Sequence, residues 1–168
     1  TRVGIQNPSL EIWVEHLLKH DLDYLTVHGR TLKQLYSGLA DWDLIALAAK
    51  MASGTKTKVW GSGDIKSRRE AQDHVKKYGV DGVLIGRAAT DNPWCFEDRQ
   101  GTISERIDAM ILHTKIFLEI FPDRRIDHLR KIYLSYSTGL PNAKELRSKL
   151  VSVKTIEDLK QLKDSFAP

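Results

Sequence analysis

The sequence predicts an α/β chain, with four parallel β-α units followed by a small all-helical segment. Three observations carry that prediction. Short β-type runs alternate with helical runs over residues 1–100. The last of them, Val80–Ile85, is almost wholly apolar, as a strand buried on both faces is. From Gly101 onward only helical periodicity remains.

Arg2–Ile5 reads as the first strand, and Pro8-Ser9 opens a helix with Ile12, Trp13, Leu17 and Leu18 as its apolar positions. Tyr24–Val27 is the second strand, followed by a long loop and a helix beginning near Asp41. Lys58–Trp60 is the third, and Ser67 with Glu70 forms a capping box for a helix to Lys77. Val80–Ile85 completes the set. In the second part Thr102 and Glu105 form another capping box, for a helix striped by Ile103, Ile107, Met110, Ile111 and Phe117 and stopped by Pro122. A helix through Ile126, Leu129, Ile132, Tyr133 and Tyr136 ends at Gly139-Leu-Pro141. Two shorter helices follow, Ala143–Leu150 and one capped by Thr155 with Leu159, Leu162 and Phe166.

Four parallel β-α units are half of an eight-stranded (β/α)8 TIM barrel, a fold that takes about 250 residues. The 168-residue chain opens directly on a strand, so the reading is the C-terminal half of such a barrel, within a longer protein. The domains are then residues 1–100, a half β/α barrel, and residues 101–168, a helical domain. A half barrel leaves sheet edges and an apolar inner face open, which predicts self-association or a missing N-terminal half barrel as partner.

Composition narrows the class. Hydrophobic residues make up 41% and charged residues 29%, which excludes disordered and collagen-like chains. No apolar run approaches the roughly 18 residues of a membrane span, and residues 1–8 carry no signal-peptide core, so a cytoplasmic location is expected. The single cysteine, Cys95, sits between Trp94 and Phe96 and reads as a packing residue, not a catalytic one. The six histidines lack paired ligand spacing, so no metal site is expected. Between Asp123 and Lys149 stand seven basic residues (Arg124, Arg125, Arg130, Lys131, Lys144, Arg147 and Lys149) against three acidic ones. That excess suits a polyanion such as RNA, but on charge alone it reads first as a solvated helical face.

The loops leaving the strands are polar and rich in glycine: His28-Gly-Arg-Thr31, then Tyr36-Ser-Gly38, Gly61-Ser-Gly-Asp64 and Gly86-Arg87. Barrel chemistry sits at that end of the strands, and the last two loops recur as a phosphate site. Singly, each loop also reads as a plain turn, a helix start or a structural histidine. Together they point to a phosphate-bearing ligand, because glycines let backbone N–H groups approach an anion.

Leu25-Thr-Val-His-Gly-Arg-Thr31, Tyr36-Ser-Gly-Leu-Ala-Asp-Trp42, Gly61-Ser-Gly-Asp-Ile65, Asp81-Gly-Val-Leu-Ile-Gly-Arg87 and Asn92-Pro-Trp94 resemble, in order and spacing, the signatures of tRNA-dihydrouridine synthases. His128-Leu-Arg-Lys131, Tyr136, Gly139-Leu-Pro141 and Leu146-Arg147 are similar to that family's helical domain. The resemblance covers essentially the whole chain, as the second half of such an enzyme.

It implies FMN-dependent reduction of the C5–C6 double bond of uridines in tRNA, with NADPH as reductant. His28, Ser62, Gly63, Asp64, Gly86 and Arg87 would bind FMN, the last five on its phosphate side. Arg30 would lie toward the substrate, and Arg125, His128, Arg130 and Lys131 would hold tRNA phosphates. Ser62 stands where the family carries Asn, and the proton-donating cysteine of the family pattern lies upstream of Thr1, leaving this chain alone inactive. Two alternatives remain at this level: a non-catalytic RNA-binding protein that keeps a half-barrel scaffold, and another FMN barrel oxidoreductase acting on a small substrate.

Overall fold

The computed structural model describes residues 1–166. Three parallel strands form its sheet in the order β1-β2-β3: Tyr24–His28, Lys58–Ser62 and Gly82–Leu84. Register sets Thr26 beside Trp60 and Trp60 beside Gly82, with His28, Ser62 and Leu84 aligned at the C-terminal edge. Helix α1 (Leu10–Leu18) precedes the strands, and α2 (Trp42–Ala52) and α3 (Arg68–Tyr78) connect them in turn. The side chains of Leu25, Val27 and Val59 pack with Val14, Ile45 and Ala48 into one core. Because side chains alternate along a strand, Tyr24 and Trp60 stand exposed on the opposite face.

The first expected strand is not formed. Arg2 makes one parallel bridge to His28, after which Gly4 pairs antiparallel with Pro8 and the Ser9 N–H donates to the Val3 carbonyl. The chain turns back too soon for a ladder, and Pro8 has no N–H to extend one. The fourth expected strand shrinks to three residues and is not buried on both faces: Leu84, at its C-terminal end, is exposed. β3 is an edge strand of this sheet, so only β2 and the helices cover it.

Local signals fared unevenly. Asp41 caps α2, accepting from the Asp43 and Leu44 N–H groups. Ser67 caps α3, but the Glu70 carboxylate reaches past it to the Lys66 N–H, so the reciprocal box is not closed. In α1 the buried positions are Leu10 and Val14, while Ile12 and Trp13 face outward. Trp13 Nε1–H donates to the Thr1 hydroxyl.

The chain divides into two units, residues 1–89 with 95–98, and residues 90–94 with 99–168. The second is helical: α5 (Ile103–Ile120), a 3-10 turn at Ile126–Leu129, α6 (Arg130–Tyr136), α7 (Ala143–Leu150) and α8 (Ile156–Asp164). Its core gathers Ile107, Met110, Tyr133, Leu146, Leu150 and Leu159. Capping boxes start α5 at Thr102 and α8 at Thr155. At the heart of the unit lies Arg106, fully buried. It donates to the carbonyls of Asp91, Gly101, Tyr136 and Thr138 and to the amide oxygens of Asn92 and Gln100, with no carboxylate partner among the described residues.

Candidate functional site

At the C-terminal edge of the sheet, loops from three strands converge on one carboxylate. Asp64 follows β2 in a left-handed conformation (φ 60°), directly after Gly63. Arg30, two residues beyond β1, places Nη2 2.7 and 2.6 Å from its two oxygens. Arg87, which opens the short helix α4 (Arg87–Asp91) after β3, places its own Nη2 2.9 Å from Oδ1. The Ala40 N–H donates to Oδ2 at 2.8 Å. Burial alone would raise the Asp64 carboxyl, but these hydrogen bonds and the two guanidinium charges outweigh it and hold it below the ordinary carboxylate range.

The two arginines differ in freedom. Arg30 is buried, and also donates to the Ser37 and Gly38 carbonyls at 3.3 and 2.7 Å. Its Nη1 is buried and has no partner among the described residues. Arg87 is 57% exposed and lies over the Tyr36 ring, 4.6 Å from its centroid. His28 closes the group at the end of β1. Burial pushes its pKa down, and Arg2, Arg30 and Arg87 add to this against Asp64, so the ring is neutral at pH 7.

Glycines at the same edge have two different surroundings. A side chain at Gly63 would collide with Ala40 beside the His28 ring, whereas a Cβ at Gly86 would meet nothing within 4 Å. The Gly63 carbonyl accepts a hydrogen bond from Trp42 Nε1–H at 3.1 Å. The Trp42 ring fills the space that a side chain at Gly61 would need. A cleft of about 260 Å³ flanks Arg30 through Gly29 and Thr31 and is further lined by Gln6, Gln34, Leu39 and Asp41. It contains none of the expected site residues.

Of the residues singled out in the sequence, His28, Arg30, Ser62, Gly63, Asp64, Gly86 and Arg87 all lie at this one edge or in the loops leaving it. Arg30 is turned inward onto Asp64 and its surface is buried. The Asp64 carboxylate is likewise fully engaged. Trp42 and Tyr36 stood in the quoted motifs without a role.

Arg125, His128, Arg130 and Lys131 lie in the helical unit. Arg125 pairs with Asp127 at 3.2 Å and is 80% exposed, while Arg130 is half-buried and His128 and Lys131 are exposed. Cys95 is buried in a 3-10 turn, Pro93–Glu97, where burial and the nearby Asp98 raise its thiol pKa. Among the described residues no group of three His, Cys, Asp or Glu side chains could hold a metal ion. Among the described residues no helix is long and apolar enough to cross a membrane.

The donor set fits a phosphate monoester. Two guanidiniums against one carboxylate leave one net positive charge, the space beside Gly86 is open, and the buried Arg30 Nη1 stands without an acceptor among the described residues.

Comparison with known proteins agrees in kind. A family model described as dihydrouridine synthase (Dus) matches residues 1–167. The chain is 33% identical over 162 residues to a protein of Staphylococcus aureus named probable tRNA-dihydrouridine synthase, covering 92% of this chain and 49% of that protein. A protein of the same name from Staphylococcus epidermidis is 32% identical over 162 residues, with 92% and 49% covered. One from Aquifex aeolicus is 31% identical over 165 residues, with 94% and 51% covered. The chain thus spans about half the length of the curated relatives it matches.

Proposed function

Because this chain belongs to the dihydrouridine synthase family, we propose that it forms the FMN-phosphate and tRNA-gripping half of an enzyme that reduces uridine in tRNA. The observation that carries the reading is the meeting of Arg30, Asp64 and Arg87 at one sheet edge, with the Arg30 Nη1 left unpartnered.

In this reading residues 1–100 are the C-terminal half of a TIM barrel. Tyr24, Trp60 and Leu84 stand on the face that the remaining strands, or a second copy, would cover. Arg87 is the guanidinium that meets the phosphate, free enough to turn onto it. Asp64 serves the anion through its two arginines and its own N–H, since its carboxylate would repel a phosphate. Ser62, Gly63 and Gly86 keep the backbone accessible, and neutral His28 presents a ring nitrogen to the flavin side.

The chemistry that bound FMN would supply is hydride transfer, from NADPH to the C5–C6 double bond of uridine. The proton for the other carbon would come from a cysteine other than Cys95. Cys95, buried and with a raised pKa, is held as a thiol in packing. Residues 101–168 hold tRNA through phosphate contacts from Arg125, His128, Arg130 and Lys131, and the work is cytoplasmic.

The test is flavin binding and turnover by the complete protein. It should purify with FMN absorbance, or take up FMN on titration, and should form dihydrouridine in unmodified tRNA with NADPH. A protein that binds tRNA but no FMN would replace this reading with a non-catalytic RNA-binding scaffold.

A further inference from the structure

Trp42 has no place in the phosphate-binding set, yet its side chain is the group from α2 that grips the turn carrying that set. It is the first residue of α2, buried, and its Nε1–H donates to the Gly63 carbonyl at 3.1 Å. The two residues before it hold the neighbouring loops. The Asp41 N–H donates to the Gly29 carbonyl at 2.6 Å, and the Ala40 N–H donates to Asp64 Oδ2 at 2.8 Å. One three-residue segment therefore fastens the loop after β1 and the loop after β2 together.

The indole has little room to do anything else. Its six-membered ring lies where a side chain at Gly61 would project, and His74 and Tyr78 of α3 close on it at 4.5 and 5.5 Å between ring centroids. An indole fixed on both sides fixes the carbonyl it holds.

The Gly63 carbonyl and the Asp64 N–H belong to one planar trans peptide, so they point in opposite directions. A hydrogen bond that draws the carbonyl toward α2 turns the N–H away from α2. Among the described residues that N–H has no acceptor. Gly63 itself sits at φ 142°, a conformation that the packing around it has to maintain.

We propose that Trp42 is a positioning residue, whose Nε1–H locks the Gly63–Asp64 peptide so that the Asp64 N–H is presented to a phosphate monoester. The inference rests on the flavin reading above and adds a residue to it. It makes a specific demand: Trp42 should matter for the phosphate end of the ligand and not for its ring system.

The experiment is a titration of the complete apo-protein, wild type and Trp42→Phe, with FMN and separately with riboflavin, which lacks the phosphate. Phe keeps an aromatic ring in the same cavity and removes the N–H. The expected result is FMN affinity weakened on the order of tenfold, as for one hydrogen bond to a charged group, with riboflavin affinity unchanged. Equal losses for both ligands, or no loss for either, overturn the proposal. A second measurement needs no variant. The Asp64 amide resonance of the wild-type protein should shift on titration with inorganic phosphate, and an unmoved resonance also overturns the proposal. A wild-type protein that takes up riboflavin and FMN equally leaves a flavin enzyme without a phosphate turn. One that takes up neither removes the flavin reading itself.

Discussion

Arg30 and Asp64 meet through a single nitrogen. Nη2 reaches both carboxylate oxygens, at 2.7 and 2.6 Å, while Nη1 has no partner among the described residues. A two-nitrogen fork would have satisfied both ends of the guanidinium. Here the fork is rotated, because Nη2 also serves the Gly38 carbonyl and Nε the Ser37 carbonyl. The pairing therefore ties the loop after β1 to that after β2, and keeps one donor in reserve.

Removing the carboxylate should be costly. Asp64→Asn keeps the shape but leaves buried Arg30 without its counter-charge, a change that typically costs about 3–5 kcal/mol. Partial exposure of Asp64 places the expected loss near the lower end of that range, about 3 kcal/mol. Urea unfolding of the two proteins checks this. A difference below about 1 kcal/mol, the scale of an exposed ion pair, would show the pair to be incidental.

His28 makes stability depend on pH in a defined direction. Its native pKa lies below the unfolded value of about 6.5, so between the two the unfolded state binds the extra proton. Stability from this residue is intact above about pH 6.5 and declines as pH falls through that value toward the native pKa. Asp64 acts lower. Its depressed pKa gives stability that is present above about 3.9 and is lost as pH falls through its native value. Thermal melts of the wild type and His28→Gln between pH 5 and 8 test the first statement, since the variant should lose the slope near 6.5.

Cys95→Ala should lower stability by about 1–2 kcal/mol and leave dihydrouridine formation by the complete protein within a few-fold. The native thiol should also react slowly with a disulfide reagent, given its burial and raised pKa. A thousandfold fall in turnover with the flavin retained would make Cys95 the proton donor after all.

Arg130→Ala with Lys131→Ala should weaken tRNA binding by the complete protein and reduce its salt slope by about two, at nearly one per lost phosphate contact. FMN content should be unaffected. An unchanged slope would assign the basic excess of residues 124–149 to a solvated face.

Thr102 offers a control remote from ligand chemistry. Its hydroxyl accepts the Glu105 N–H, and the Glu105 carboxylate accepts the Thr102 N–H in return. Arg99 and these cap contacts hold the Glu105 carboxyl down to about 2. Thr102→Ala should cost about 1 kcal/mol by chemical denaturation, with tRNA and flavin binding unchanged.

Local chemistry was readable from the sequence. Asp41, Thr102 and Thr155 announced their helices because caps involve neighbours two or three residues away. The strand at Arg2–Ile5 was not readable in the same way: a strand needs a ladder, and whether Arg2 continues past one bridge is decided by the turn at Gly4. The loops of the site were visible as glycine-rich runs, yet the inward turn of Arg30 was not. Nothing near residue 30 specifies that its partner is 34 positions away. The exposure of Leu84 is not legible in the sequence, because an apolar run says nothing of how many neighbours a strand has.

Arg106 gives the helical unit a different response to acid. A guanidinium keeps its charge across the accessible pH range, and the six oxygens around it are carbonyls and amides that take no proton there. No step in acidity short of unfolding can switch that junction off. The loops around Asp64 and His28 are built from groups that do titrate. On acidification the sheet should therefore loosen first, and hydrogen exchange should find residues 100–138 still protected after the loops at 28–40 and 62–64 have opened.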